Sequence, residues 1–104
     1  MASENQRGGR TQALDVIVER VRAGAFEFTL RQCAILRIAA CKGPLPIGAI
    51  ARELAVDPVV VTRGVATLER QGHLTKIANP HDRRSTLVKV TRAGESEVAA
   101  WHRP

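Results

Sequence analysis

The segment between Leu54 and Val59 constrains this fold more than any other stretch of the chain. Ile47, Ile50, Ala51 and Leu54 recur at helical spacing after Pro46, and Val61, Val65 and Leu68 do the same further on. Only four residues separate Leu54 from Val59, which leaves room for a tight turn and nothing longer. Asp57-Pro58 restarts the second helix. An aspartate at the N-cap accepts an orphan amide, and proline at the first helical position lacks an amide that would have no partner there. Two short helices joined so closely have the layout of a helix-turn-helix.

The flanks complete the architecture. Leu14, Ile17, Val18, Val21 and Ala25 share one face of a first helix that Gly24 can stop. Thr29 with Gln32 forms a capping box. The helix that follows carries Leu30, Cys33, Ala34, Ile35, Leu36, Ile38, Ala39, Ala40 and Cys41, apolar around most of its circumference, and ends at Gly43-Pro44. Such a helix is expected to be buried on several sides as the central core element. After Gly72 the period drops from roughly 3.6 to about 2. Leu74 to Ala78 and Thr86 to Val90 alternate as strands around the turn-forming run Asn79-Pro80-His81-Asp82-Arg83-Arg84, so they read as a hairpin. Thr91 can cap a last helix carrying Val98 and Trp101. The expected fold is mainly α with a small β-hairpin wing, a winged helix-turn-helix. Residues 1–10 read as a flexible polar tail and 11–104 as one winged-helix domain with short terminal helices.

Composition narrows the function. The chain has 104 residues with 44% hydrophobic and 25% charged side chains, the proportions of a globular protein. No apolar run approaches the roughly 20 residues of a membrane helix, and the N-terminus has no apolar core of a secretory signal. Two cysteines in that context imply free thiols and a cytoplasmic location. The net charge of +6 is uneven: residues 1–28 balance, whereas residues 62–104 hold eight basic and four acidic side chains. A basic surplus concentrated at one end points to a polyanion; solubility alone is the competing explanation. Aromatics are only 3%, which argues against a stacking platform for single strands. No nucleophile–base pair, paired carboxylate or phosphate loop stands out, so an enzyme has no residues to point to. His73, His81 and His102 lack metal-ligand spacing, and neither metal nor cofactor is expected.

The sequence also resembles the MarR family of bacterial transcription regulators. The residues that carry the likeness are Leu30 to Gln32, Ile50 to Leu54, Val61-Thr62-Arg63 with Leu68 and Gly72, the run Asn79 to Arg84, and Leu87 to Gly94. The Asp-x-Arg of the wing, followed by a strand and Thr-x-x-Gly, is its most specific part. The likeness covers roughly Phe28 to Glu95; members usually have a longer first helix and two further C-terminal helices that build the dimer. It implies a homodimer that binds a near-palindromic double-stranded operator and represses by blocking polymerase, with any small-molecule effector unknown.

The fourth helix, Asp57 to Gln71, is the expected major-groove reader. With its core seam at Val61, Val65 and Leu68, the opposite face carries Val59, Val60, Arg63, Ala66, Thr67 and Arg70, with Thr62 at the edge. Valine methyls can meet thymine methyls, and Arg63 can fork onto guanine or phosphate; a solvated face with ordinary arginines is the alternative. In the wing, Asp82, Arg83 and Arg84 crowd one short turn. The family resemblance gives Arg84 a place in the minor groove with Asp82 steadying it, and a narrow A·T groove does attract a planar guanidinium. Arg83 contacts phosphate or nothing. Leu14, Ile17, Val21, Val98 and Trp101 offer apolar surface for the subunit interface. Cys33 and Cys41 lie roughly 12 Å apart along one helix, too far to pair, and read as buried small apolar residues. Two other readings stay open: a winged-helix adaptor that docks on protein, and a sequence-blind nucleic-acid binder.

Overall fold

The computed structural model of the protein describes residues 15–24 and 27–101. Met1 to Arg10, Leu14, Ala25 and His102 lie outside them. The chain divides into two compact units, and the larger spans Phe28–Val98. In the smaller unit, residues 15–22 form helix α1, which ends in a turn at Ala23 and Gly24. Its apolar stripe faces solvent: Ile17 is 60% and Val21 57% exposed.

The larger unit holds the helix-turn-helix and the hairpin. Helix α2 runs Leu30–Lys42, and its capping box forms as the sequence implies. Thr29 Oγ1 accepts the Gln32 amide at 3.0 Å, and Gln32 Oε1 accepts the Thr29 amide at 3.0 Å. Helix α3 is Ile47–Leu54 and helix α4 is Pro58–Arg70. The turn between them passes through Ala55, whose φ of 56° and ψ of 45° lie in the left-handed region. A residue with a Cβ costs about 1–2 kcal/mol there. Strands β1, Leu74–Ala78, and β2, Thr86–Val90, pair antiparallel with Leu74 opposite Val90 and Ala78 opposite Thr86. Helix α5, Arg92–Trp101, closes the described chain.

The core is built from Ile35, Leu36 and Ala39 of α2, Ile50 and Ala51 of α3, Val61, Val65 and Leu68 of α4, Leu74 of β1 and Val88 of β2. Gly64 lets α4 close onto α2, because a Cβ at that position would lie 2.6 Å from Ile35 Cδ1. Gly72, at φ 84°, turns the chain from α4 into β1.

Two expectations about α2 need correction. Its apolar residues do not make it buried all round: Leu30 is 87% exposed, and only Ile35, Leu36 and Ala39 are fully enclosed. The stripe that meets α3, α4 and β2 is narrow, so side chains on the outer turns remain in water. For the same reason Cys41 is exposed and Cys33 only half-buried, not the inert buried pair that the sequence suggests. A third finding had no counterpart in the sequence reading. Leu45, between two prolines, forms a β-bridge with Val88, with both amide–carbonyl bonds made at 3.1 and 2.8 Å. A residue before proline favours extended backbone, which suits that pairing.

Candidate nucleic-acid interface

Helix α4 starts at a well-formed cap. The Asp57 carboxylate accepts the Val59 amide at 2.8 Å, with Pro58 as the first helical residue. The buried seam of Val61, Val65 and Leu68 sets the rotation of α4 against the core. Val59 is consequently 57% exposed, and Thr62, Arg63 and Arg70 face solvent. Ala66 and Thr67 are half-buried on the same face, and Val60 is half-buried at its margin. Both threonines turn their hydroxyl protons back onto the helix: Thr62 Oγ1 donates to the Pro58 carbonyl at 3.0 Å, and Thr67 Oγ1 to the Arg63 carbonyl at 3.2 Å. Thr67 Oγ1 also accepts from Arg70 Nη2 at 3.2 Å, which holds the guanidinium along the helix.

The wing tip is a tightly bonded turn. The Asn79 amide donates to the Ser85 carbonyl at 3.3 Å, the Asp82 amide to the Asn79 carbonyl at 3.2 Å, and the Ser85 amide to the Asp82 carbonyl at 3.1 Å. The family resemblance makes Asp82 the orienting partner of Arg84 without saying which group it holds. In the structure Asp82 Oδ1 accepts the Arg84 backbone amide at 3.0 Å. Asp82 thus shapes the backbone from which Arg84 projects. Among the described residues, the guanidinium groups of Arg63, Arg83 and Arg84 make no hydrogen bond or ion pair, and all three residues are exposed.

The base of the wing is fastened to the helices. Thr91 Oγ1 donates to the Gly72 carbonyl at 2.6 Å and accepts the Gly94 amide at 3.1 Å, and the Thr91 amide donates to the His73 carbonyl at 3.0 Å. Thr91 therefore caps α5, as expected, and also staples the end of β2 to the chain leaving α4. An exposed ion pair, Lys76 Nζ to Glu69 Oε1 at 3.7 Å, spans α4 and β1. The sequence marks Asn79 only as turn chemistry and gives no role to Ser85 or Leu45; Asn-Pro marks a turn but does not show which groups close it.

Elsewhere, burial pushes the Cys33 thiol up from its ordinary range and the Glu97 charge adds to the rise, against a lowering backbone hydrogen bond. Of the residues expected at a subunit interface, Ile17 and Val21 are exposed and Trp101 is half-buried. Val98 is 6% exposed, already covered within the chain, and so offers no free apolar surface. Leu14 lies outside the described residues. No helix among those residues is long and apolar enough to cross a membrane.

A two-stranded wing beside a helix-turn-helix, with arginines exposed on both, defines a winged helix-turn-helix protein. The MarR family model matches residues 28–86, and the chain belongs to the MarR family. It is 32% identical over 84 residues to the HTH-type transcriptional regulator MT0903.1 of Mycobacterium tuberculosis, a match covering 81% of this chain and 59% of that protein. The chain spans less than two thirds of the length of the curated relatives it matches. The crystal structure of the transcriptional regulator Tm0710 from Thermotoga maritima superposes with a TM-score of 0.74 at 30% identity, covering 96% of this chain and 71% of that one. The fold is also that of Staphylococcus aureus MepR in its DNA complex, at a TM-score of 0.73 and 19% identity, covering 97% and 79% of the two chains.

Proposed function

We propose that the protein is a sequence-specific, double-stranded DNA-binding transcription regulator. In this reading Val59, Val60, Thr62, Arg63, Thr67 and Arg70 of α4 face the major groove, and Arg84 enters the adjacent minor groove with Arg83 near a phosphate. The observation that carries it is the set of exposed guanidinium groups, Arg63, Arg83 and Arg84, none occupied by a partner among the described residues, on the two elements that project from one core. Binding to the phosphate backbone supplies affinity, and base edges supply sequence preference. Half-buried Val60 contributes at the margin of the face, and Thr67 acts mainly by holding Arg70.

A single winged helix reads one short half-site, so specificity favours a two-fold dimer on a near-palindrome. Ile17 and Val21 of α1, together with Trp101 of α5, provide its apolar surface. One winged-helix domain over 11–104 with a tail at 1–10, repression by occluding polymerase, and a cytoplasmic location complete the reading. Selection from a random duplex pool at fixed salt tests it. The expected result is an enriched near-palindrome with A·T-rich sequence at the wing positions. Enrichment of no motif, with a steep salt dependence, would instead identify a sequence-blind binder.

A further inference from the structure

We propose that Asn79 is a positioning residue for DNA recognition, a clasp that holds Arg84 at the groove without touching DNA itself. The proposal rests on the wing reading above and names the residue on which the placement of Arg84 depends. Asn79 follows the last residue of β1 and is the point at which the tip is closed. It uses all four of its polar groups. Its amide donates to the Ser85 carbonyl and its carbonyl accepts the Asp82 amide, at 3.3 and 3.2 Å. Its side chain adds two bonds: Oδ1 accepts the His81 amide at 2.9 Å, and Nδ2 donates to Ser85 Oγ at 3.2 Å. The side chain thus grips the tip on both sides of Arg84, one residue past it at Ser85 and three before it at His81. Asn79 and Ser85 are half-buried, whereas 81–84 are exposed. The clasp is the inner, sheltered part of a turn whose outer residues are exposed.

The physical role follows from ordering. A seven-residue excursion from 79 to 85 with loose ends would let the Arg84 guanidinium sample many positions, and binding would have to freeze it. Asp82 bonds the Arg84 amide from within the same loop, which shapes the turn but does not attach it to the strands. The side chain of Asn79 adds to the backbone bonds that close the loop, through Ser85 where β2 is about to begin. Ordering the tip before binding removes that cost from the complex.

The test is a set of double-variant cycles read by fluorescence anisotropy on the selected operator at one salt concentration. Asn79→Ala removes both side-chain bonds, and affinity should fall roughly five- to tenfold. In an Arg84→Ala background the same substitution should cost less than about twofold, because the residue being positioned is gone. In an Arg63→Ala background the full loss should persist, because α4 reads independently of the tip. Ser85→Ala, which removes only the Nδ2 partner, should show a smaller loss with the same pattern; it also serves if Asn79→Ala lowers the helical circular dichroism signal. Equal losses in all three backgrounds, or no loss in the wild-type background while Arg84→Ala weakens binding, would overturn the clasp alone. If Arg84→Ala itself leaves affinity unchanged, the wing reading fails and the clasp fails with it.

Discussion

Removing the acid in the wing should weaken DNA binding, although it also removes a negative charge. The Asp82 carboxylate accepts the Arg84 amide at 3.0 Å in an exposed turn. Hydrogen bonds to charged groups contribute roughly 1.5–3 kcal/mol, but exposure brings this one down toward about 1 kcal/mol. Asp82→Ala loses that bond, so the Arg84 backbone must be ordered again on binding. The opposing gain is electrostatic. A phosphate about 10 Å away repels a carboxylate by roughly 0.4 kcal/mol in water, and physiological salt screens most of that. The bond outweighs the charge, leaving a net loss of about 0.5–1 kcal/mol, or roughly two- to fivefold in Kd. Asp82→Asn separates the two contributions: it keeps an Oδ1 acceptor and drops the charge, so affinity should match or slightly exceed wild type. Because salt screens only the electrostatic gain, the Asp82→Ala deficit should widen at higher ionic strength. Fluorescence anisotropy on one operator at two salt concentrations measures all of this. Tighter binding by Asp82→Ala would refute the reasoning and leave a wing that acts by charge alone.

Other perturbations follow from single observations. Arg84→Ala should cost roughly 1–3 kcal/mol of binding, more on A·T-rich flanks, and Arg84→Lys should recover only part of it, all measured by the same anisotropy titration. Ala55→Gly relieves a left-handed alanine and should stabilise the fold by about 0.5–1 kcal/mol, a rise of a few degrees in Tm; a fall in Tm would contradict the assigned backbone. Exposed Cys41 should be alkylated by iodoacetamide near neutral pH well before Cys33, with mass spectrometry of a time course as the readout. Folding keeps the Cys33 thiol protonated above its ordinary range. Its contribution to stability is therefore complete at neutral pH and declines as pH rises through that range, a decline that Cys33→Ala should remove from urea-denaturation profiles. Val21→Glu should shift the proposed dimer toward monomer in analytical ultracentrifugation without unfolding the core, since Val21 is exposed in the chain.

Much of the fold was legible because its punctuation is local chemistry. Thr29 with Gln32 and Asp57 with Pro58 mark helix starts through bonds made within three residues, and both sets form. The seam of Val61, Val65 and Leu68 was readable for a similar reason: a single helix packs one face, and periodicity reports that face. Leu30 and Cys41 were misplaced because apolarity says what a residue tolerates, not whether a neighbour arrives to cover it. The Leu45 bridge, the left-handed Ala55 and the Asn79 clasp depend on partners brought close by folding, or on a backbone angle that an alanine does not advertise. Asp82 shows the boundary. The family resemblance implied a link between it and Arg84, but only the geometry shows that the bond goes to the backbone amide.

The way the wing is anchored bears on how two reading elements can act together. Val88, at the middle of β2, is fully buried and bonded on its outer edge to Leu45, which lies between α2 and α3. At the end of the same strand, Thr91 is tied to the carbonyls of Gly72 and His73, where the chain leaves α4. The strand that carries the tip is thus fixed to the entry of the helix-turn-helix at one point and to the exit of α4 at another. A wing hinged at only one of these would swing, and its arginine would give back in ordering much of what it gains at the groove. With both in place, the strand is tied to the helices on either side of the turn between α3 and α4. In the proposed reading, mutations at the wing base should weaken contacts in both grooves, whereas mutations at the tip should weaken only the minor-groove one.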